Sequence, residues 1–211
     1  MIPASLVPER YTIGSVYAQL FDSLEGREGL SSAFPFVLVT GNPGKLAEAR
    51  TALGSDLETV ELDLPEIQSL DYREVLQAKA DEAWRRIGRP LVVEEAGLDL
   101  AALNGFPGPL VKWMLGAVGA EGIARTAAAL DDVRAAARCF LLYKDGDRET
   151  VAEGTTEGTL VLPGRGSHGF GWDPVFLPEG SKLTFAELIG AEKDAVSHRG
   201  KAWREMAQKL S

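Results

Sequence analysis

Short runs of β-branched residues alternate with helix-forming stretches in the first half of the chain. The apolar run Val37 to Val39 predicts a buried strand, and the good helix formers from Lys45 to Arg50 predict a helix after a glycine-rich turn. A second short strand is predicted at residues 60–64. A helix is predicted at residues 72–87, where Gly88-Arg89-Pro90 ends it.

The next segments predict a change from alternating to antiparallel structure. Residues 91–98 predict a buried strand that ends at the carboxylates Glu94 and Glu95. Residues 138–143 and 149–153 predict a hairpin, which residues 155–162 extend. The predicted helices of this half span residues 111–118, 121–130 and 194–210. The whole pattern favours an α/β fold with a mixed sheet.

The first 33 residues differ from the remainder. Val16, Leu20 and Leu24 are spaced by four, which predicts an amphipathic helix, and residues 26–32 are typical of a linker. We therefore expect an N-terminal extension over residues 1–33 and one domain over residues 34–211.

Composition narrows the class of protein. A net charge of −9 argues against duplex nucleic acid as a partner. No apolar run approaches the length of about 18 residues that a membrane span needs, and the N-terminus lacks the pattern of a signal peptide. The single cysteine fits a reducing compartment. We expect a cytoplasmic enzyme without membrane contact.

The turn after the first strand has the chemistry of a phosphate site. Backbone N–H groups at the start of a helix favour anions, Lys45 adds a mobile charge, and Thr40 and Asn42 add short polar side chains. The spacing is not that of a Walker loop. An ordinary βα loop with a solvated lysine has the same pattern, so this motif alone leaves the function open.

Carboxylates beside this turn predict a metal site. Glu66, Glu94 and Glu95 follow predicted strands, and oxygen ligands of this kind suit Mg²⁺ that bridges to phosphates. Adjacent residues of a strand face opposite sides, so only one of Glu94 and Glu95 is expected to serve a given site. Solvated charges at a strand end are the alternative.

Two later motifs have the chemistry to recognise an aromatic base. Phe170 and Trp172 can stack on a planar ring, and Asp173 can accept a hydrogen bond from a ring N–H. The segment from Lys193 to Arg199 concentrates cations at a predicted helix start, where His198 suits a carbonyl oxygen. The alternative for the first motif is that its aromatic residues pack in the core. The alternative for the second is a capped helix on the surface.

Five motifs, read in order, resemble the inosine triphosphate pyrophosphatase family, which hydrolyses aberrant purine nucleoside triphosphates to monophosphate and pyrophosphate. The resemblance runs from Val37 to about Ala202. Its motifs are Thr40 to Lys45, Leu64 to Gln68, Leu103 to Pro109 with Lys112-Trp113, Phe170 to Pro174, and Ser197 to Arg199.

The resemblance implies an elongated mixed sheet with flanking helices and a smaller antiparallel lobe, with a cleft between them, in a homodimer. It implies ITP, dITP or XTP as substrate, Mg²⁺ (or Mn²⁺) held by Glu66 and Glu95, and Glu95 as general base. It implies that the remaining site residues bind phosphate (Thr40, Asn42, Lys45, Lys79 and Lys193, with Lys45 also catalytic) or the base (Phe170, Trp172, Asp173, Ser197, His198 and Arg199).

One motif departs from the family. Its strand ordinarily ends in Glu-Asp or Asp-Asp followed by Ser or Thr, whereas this chain has Glu94-Glu95-Ala96. The expected catalytic aspartate is therefore a glutamate, one methylene longer. Two other functions stay open on this ground: a catalytically weak or inactive nucleotide-binding relative, and a pyrophosphatase for another class of nucleoside triphosphate.

Overall fold

The computed structural model describes residues 34–210, so the expected extension over residues 1–33 lies outside the described residues. The strands of the described part are β1 (Val37–Val39), β2 (Glu58–Val60), β3 (Leu91–Leu100), β4 (Pro107–Gly108), β5 (Arg134–Asp145), β6 (Arg148–Leu160) and β7 (Phe176–Pro178). The α-helices are α1 (Pro43–Leu53), α2 (Tyr72–Ile87), α3 (Val111–Ala129), α4 (Gly190–Val196) and α5 (His198–Leu210).

The strands form one mixed sheet, in the order β2-β1-β3-β5-β6-β7, with β4 paired to β3. Strand β1 runs parallel to β2 and β3. The pairs β3–β5, β5–β6, β6–β7 and β3–β4 are antiparallel. The predicted α/β class with a mixed sheet is confirmed, and the antiparallel strands belong to the same sheet as the parallel ones.

Local sequence explains where the first two helices begin and end. The side chain of Asn42 caps α1, and that of Asp71 caps α2. Both helices end at a glycine in the left-handed region, Gly54 with φ 64° and Gly88 with φ 66°. Glycine adopts this conformation without the steric cost of a Cβ atom.

Alternating side chains of β1, β3 and β5 supply the core on both faces of the sheet. One cluster joins Leu38, Val92 and Leu141 to Trp203 of α5, and a second packs Val93 against α2. A third cluster lies farther along β3 and β5, under α3. No helix of the described residues combines the length and apolar character that crossing a bilayer requires.

Several predicted boundaries are wrong. The second strand occupies Glu58–Val60 instead of residues 60–64, whereas residues 155–160 extend the predicted hairpin as part of β6. Helix 194–210 is two helices, because Ser197 has an extended ψ of 150°. The two helices predicted at 111–118 and 121–130 are, by contrast, confirmed, because α3 consists of two helical segments that are separated by non-helical geometry at Gly119.

The most consequential correction concerns β3. This strand was expected to end at Glu94 and Glu95, but it continues to Leu100, and both glutamates pair in register with β5. The two carboxylates therefore lie in the middle of a buried strand.

Candidate active site

A cavity of about 670 Å³ lies beside the middle of β3. On this edge β1 pairs with Leu91 and Val92, and β4 pairs with Leu98 and Asp99. Within the described part of the chain, residues 93–97 of β3 have no strand partner on this edge. The open edge lies just beyond the carboxyl end of β1, where ligands of α/β sheets commonly bind.

The open edge lets two consecutive acids reach one cavity. Glu94 and Glu95 both line it, although consecutive strand residues point to opposite faces of a sheet. The expectation that only one of them serves a given site stays a prediction, because Glu94 and Glu95 border one cavity but have different partners on the two faces of the strand. Where no neighbouring strand separates the two faces, side chains from both faces border the same space.

On one face, Lys79 of α2 joins Glu66 and Glu95. Its Nζ lies 2.5 Å from Oε2 of Glu95 and 3.1 Å from Oε1 of Glu66. Burial raises the pKa of Glu95, although Lys79 opposes the shift. For Glu66, burial also acts to raise the pKa, but Lys79 and Lys112 outweigh it and the pKa is lowered. The two carboxylates thus share one ammonium group.

On the other face, Glu94 binds two cations. Its Oε1 lies 3.1 Å from Nζ of Lys45 and 3.0 Å from Nη2 of Arg199. Burial of the Glu94 side chain favours its neutral form, but the two cations outweigh this and hold its pKa at about 2. Arg199 also pairs with Glu48 of α1. Glu94 is therefore an ionised, fully paired carboxylate at the cavity wall.

The predicted strand, turn and helix around Lys45 are present, and three backbone N–H groups of the turn are already hydrogen-bonded within it. The Oδ1 of Asn42 accepts hydrogen bonds from the N–H groups of Gly44 and Lys45, at 2.9 and 3.2 Å. The N–H of Asn42 donates to Oγ1 of Thr40 at 3.1 Å. These backbone donors are already used within the turn, which leaves the Lys45 side chain as the cationic group that the turn presents to the cavity.

The acids and cations farther along the chain pair with one another. Nζ of Lys193 lies 2.7 Å from Oδ2 of Asp173 and 2.5 Å from Oε1 of Glu48. Oδ2 of Asp173 also accepts a hydrogen bond from the N–H of Phe170 at 2.8 Å. Burial raises the pKa of Asp173 despite the contact with Lys193. In this arrangement Asp173 and Lys193 hold the segment around Phe170.

His198 lies behind the aromatic residues. Its ring is 5.7 Å from that of Phe185 and 6.4 Å from that of Trp172. Neither ring nitrogen has a hydrogen-bond partner among the described residues, and burial keeps the pKa of His198 well below its ordinary value. A buried neutral imidazole with free nitrogens can still bind a polar group that enters beside it.

The residues proposed from the sequence divide into two groups. Those that line the cavity are Thr40, Asn42, Lys45, Glu66, Lys79, Glu95, Phe170, Trp172 and Arg199. Asp173, Lys193, Ser197 and His198 do not line it, and all four are buried. The Oγ of Ser197 accepts a hydrogen bond from the N–H of Gly200 and so caps α5. The predicted roles of this second group, phosphate binding by Lys193 and base reading by the other three, stay predictions.

Sequence reasoning missed residues that complete the charge pattern. Glu48 pairs with both Arg199 and Lys193, and Lys112 binds Glu66 at 3.1 Å. Glu48 lies one helical turn after Lys45, a spacing that places both side chains on the same side of α1. This spacing was the feature of the sequence that could have identified Glu48 as part of the site.

The residues present fit a divalent cation that arrives with a phosphate ligand. No group of three or more His, Cys, Asp or Glu side chains within residues 34–210 has the geometry to hold a metal. Glu66 and Glu95 supply two carboxylates around one position. Mg²⁺ is commonly bound by one or two carboxylates together with water and substrate phosphates.

Comparison with known proteins finds relatives that match most of the chain. The inosine triphosphate pyrophosphatase of Yarrowia lipolytica is 43% identical over 81% of this chain and 92% of its own length. That of Schizosaccharomyces pombe is 40% identical over 77% and 88%. The solved structure of a HAM1 protein from Coxiella burnetii matches with a TM-score of 0.70 and 30% identity, over 83% of this chain and 97% of that one. The Ham1 family model matches residues 36–209, and the chain belongs to the Ham1 family.

Proposed function

We propose that this protein hydrolyses noncanonical purine nucleoside triphosphates, such as ITP, dITP and XTP, to the monophosphate and pyrophosphate. The relatives that bear the name inosine triphosphate pyrophosphatase support the reaction. The observation that carries the proposal is that Lys45, Glu66, Lys79 and Glu95 border one cavity.

The charge of the cavity supports a triphosphate that is bound with a cation. Four cationic and four acidic side chains line it: Lys45, Lys79, Lys112, Arg199, Asp63, Glu66, Glu94 and Glu95. Formally these charges cancel, so the lining alone does not neutralise a triphosphate. Mg²⁺, or Mn²⁺ in its place, would be held by Glu66 and Glu95 and would supply charge neutralisation of the phosphates.

The residues of the cavity have separate roles in the reaction. Water attacks the α-phosphorus, the bond from that phosphorus to the bridging oxygen breaks, and pyrophosphate leaves with the bond electrons. Glu95 accepts the proton of the attacking water. Lys45 and Lys79 stabilise the charge that develops on the phosphate oxygens, while Thr40 and Asn42 shape the turn that positions Lys45.

The base end of the cavity lies toward the aromatic residues. Phe170 and Trp172 border the cavity and are placed to stack on a purine. Arg199 borders the same end and can donate to a 6-oxo group. Adenine presents an amino donor at that position, and a buried donor facing a donor disfavours binding. We also propose that His198, whose ring lies 6.4 Å from that of Trp172, reads the edge of the base.

Release of pyrophosphate tests the proposal directly. The full chain is assayed with Mg²⁺ against ITP, XTP, GTP, ATP and UTP at equal concentrations. We expect kcat/KM for ITP and XTP to exceed the values for GTP, ATP and UTP. A preference for ATP or UTP would identify the second candidate, a pyrophosphatase of another substrate class.

The replacement of the family's Asp-Ser/Thr by Glu95-Ala96 supports a further candidate, a catalytically weak or inactive nucleotide-binding relative. Errors of about 1 Å in positioning can cost about 100-fold in rate. This candidate predicts tight ITP binding with no pyrophosphate release at any concentration of Mg²⁺ or Mn²⁺. The variant Glu95→Asp separates the two: a large gain in rate identifies a handicapped site, and a large fall identifies a site built around glutamate.

The organisation of the protein is also a proposal. The family match over residues 36–209 supports a pyrophosphatase domain at 34–211 that follows an N-terminal extension at 1–33. We expect a homodimer in the cytoplasm. Light scattering of the purified full chain measures the mass of the particle, and a monomer mass would contradict the dimer.

A further inference from the structure

Lys79 has an unusual position among the charged residues of the cavity. Its Nζ contacts both carboxylates that the proposed function assigns to the metal, Glu95 at 2.5 Å and Glu66 at 3.1 Å. The side chains of Lys79 and Glu95 are only 11% and 10% exposed, so water screens their contact weakly, whereas the Glu66 side chain is 39% exposed. One ammonium group therefore holds together the two oxygen donors that a divalent cation requires.

The other cations of the cavity do not share this position. Lys112 contacts Glu66 alone, at 3.1 Å, and its side chain is 70% exposed. Lys45 makes its ion pair with Glu94, on the opposite face of β3. Lys79 is thus the cation that a metal ion must replace at both carboxylates.

We propose that Lys79 is an internal counter-ion that competes with the divalent cation for Glu66 and Glu95. As long as Lys79 holds both carboxylates, metal alone binds weakly. A triphosphate offers the ammonium group new acceptors, so Lys79 moves from the carboxylates to phosphate oxygens as metal and nucleotide enter together. The inference rests on the proposed function, because it takes Glu66 and Glu95 as the metal-binding pair.

Binding of Mn²⁺ to the nucleotide-free full chain tests the inference without any turnover. Free Mn²⁺ is measured by electron paramagnetic resonance during titration of the wild type and of Lys79→Gln. We expect Lys79→Gln to lower the Kd for Mn²⁺ by at least roughly tenfold, because the buried Glu95 carboxylate and the partly exposed Glu66 carboxylate lose their shared counter-ion. In the double variant Lys79→Gln/Glu66→Gln, this gain in Mn²⁺ affinity should be lost.

Lys112→Gln is the matched control. It removes the same charge and breaks a contact to Glu66 of the same length, but the group is exposed and does not touch Glu95. We expect the Kd of Lys112→Gln to change less than about threefold, as for other exposed ion pairs. Lys79→Arg retains the charge and should resemble the wild type. If Lys79→Gln binds Mn²⁺ no more tightly than Lys112→Gln, the inference is overturned.

Two further measurements distinguish a change in Mn²⁺ affinity from misfolding of a variant and from failure of the proposed function. Thermal unfolding followed by circular dichroism establishes that each variant is folded, and Lys79→Met replaces Lys79→Gln if the latter is not. The wild type is also assayed for pyrophosphate release. A tenfold change in Mn²⁺ affinity without any pyrophosphatase activity would overturn the proposed function while the role of Lys79 stands.

Discussion

Replacement of Glu94 by Gln tests whether the ion pairs behind the cavity stabilise the fold. Both carboxylate oxygens of Glu94 contact Arg199, and Oε1 also contacts Lys45. Gln retains the size of the side chain but removes its charge. Arg199, which is 2% exposed, would then keep Glu48 as its remaining acidic partner. The free energy of unfolding should therefore fall.

The size of this effect follows from the pKa of Glu94. That pKa falls from its ordinary value of 4.5 to about 2 in the folded protein. A tenfold change in proton affinity is worth about 1.36 kcal/mol, so the ionised carboxylate contributes about 3 kcal/mol at pH 7. Removal of one partner from a buried ion pair typically lowers the free energy of unfolding by a similar amount, about 3–5 kcal/mol. For a domain of this size the melting temperature should fall by roughly 6–12 °C.

The sign of the pH dependence is fixed by the direction of the shift. A carboxyl group whose pKa is lowered by folding stabilises the protein above its unfolded pKa, and the stabilisation is lost as the pH falls through the folded pKa. The difference between wild type and Glu94→Gln should therefore shrink between pH 4.5 and pH 2. At pH 3.5 we expect about 2 kcal/mol of the original 3 to remain.

Urea unfolding at pH 7 and pH 3.5 measures both quantities. Glu82→Gln is the matched control, because the pKa of Glu82 is also about 2 but its partners Arg85 and Arg86 lie on the helix surface. We expect no measurable loss of stability for this control. A loss below about 1 kcal/mol for Glu94→Gln, or a difference that does not change with pH, would refute the reasoning.

Four further predictions concern the catalytic strand and two glycines. Glu95→Gln should abolish pyrophosphate release and leave the Kd for ITP, measured by calorimetry, nearly unchanged; full activity would remove Glu95 from the mechanism. Ala96→Ser adds a hydroxyl donor at the cavity wall and should raise kcat/KM for ITP by about three- to tenfold, whereas a lower value would show that the site has no room for it. Gly154→Ala should destabilise the protein by at least about 2 kcal/mol in urea, because a Cβ atom there would lie 2.0 Å from the carbonyl oxygen of His198. Gly116→Ala meets no atom within 4 Å and should stabilise α3 by about 0.5–1 kcal/mol, so equal melting temperatures for the two glycine variants would contradict the packing around Gly154.

Sequence patterns predicted the parts of the site that depend on local structure. A β-branched run, a capping residue and a helix former fix the turn around Lys45, and each acts through neighbours in the chain. The same applies to α2, whose regular spacing carries Lys79 to the cavity. These features follow from propensity and periodicity, which a single sequence displays.

The pairing of charges could not be predicted in this way. Lys193 and Asp173 have the right chemistry to bind a ligand, but in the folded chain Lys193 forms ion pairs with both Asp173 and Glu48. Which charged side chains form ion pairs depends on contacts between residues that are distant in sequence, and composition and spacing do not encode these contacts. The break between α4 and α5 did have a local signal, since Ser197 is a strong N-cap residue for the helix that begins at His198.

The open edge of β3 explains why consecutive acids can have different functions in one cavity. Pairing with β5 fixes the alternation, so Glu94 lies on the face of Lys45 and Arg199 while Glu95 lies on the face of Lys79. The first acid is saturated by two cations and acts on the positions of Lys45 and Arg199. The second shares its single ammonium group, that of Lys79, with Glu66. In the function that we propose, the metal competes with Lys79 for the two carboxylates, and the triphosphate competes with the carboxylates for Lys79. A strand with a neighbour along its full length would have separated these two sets of charges.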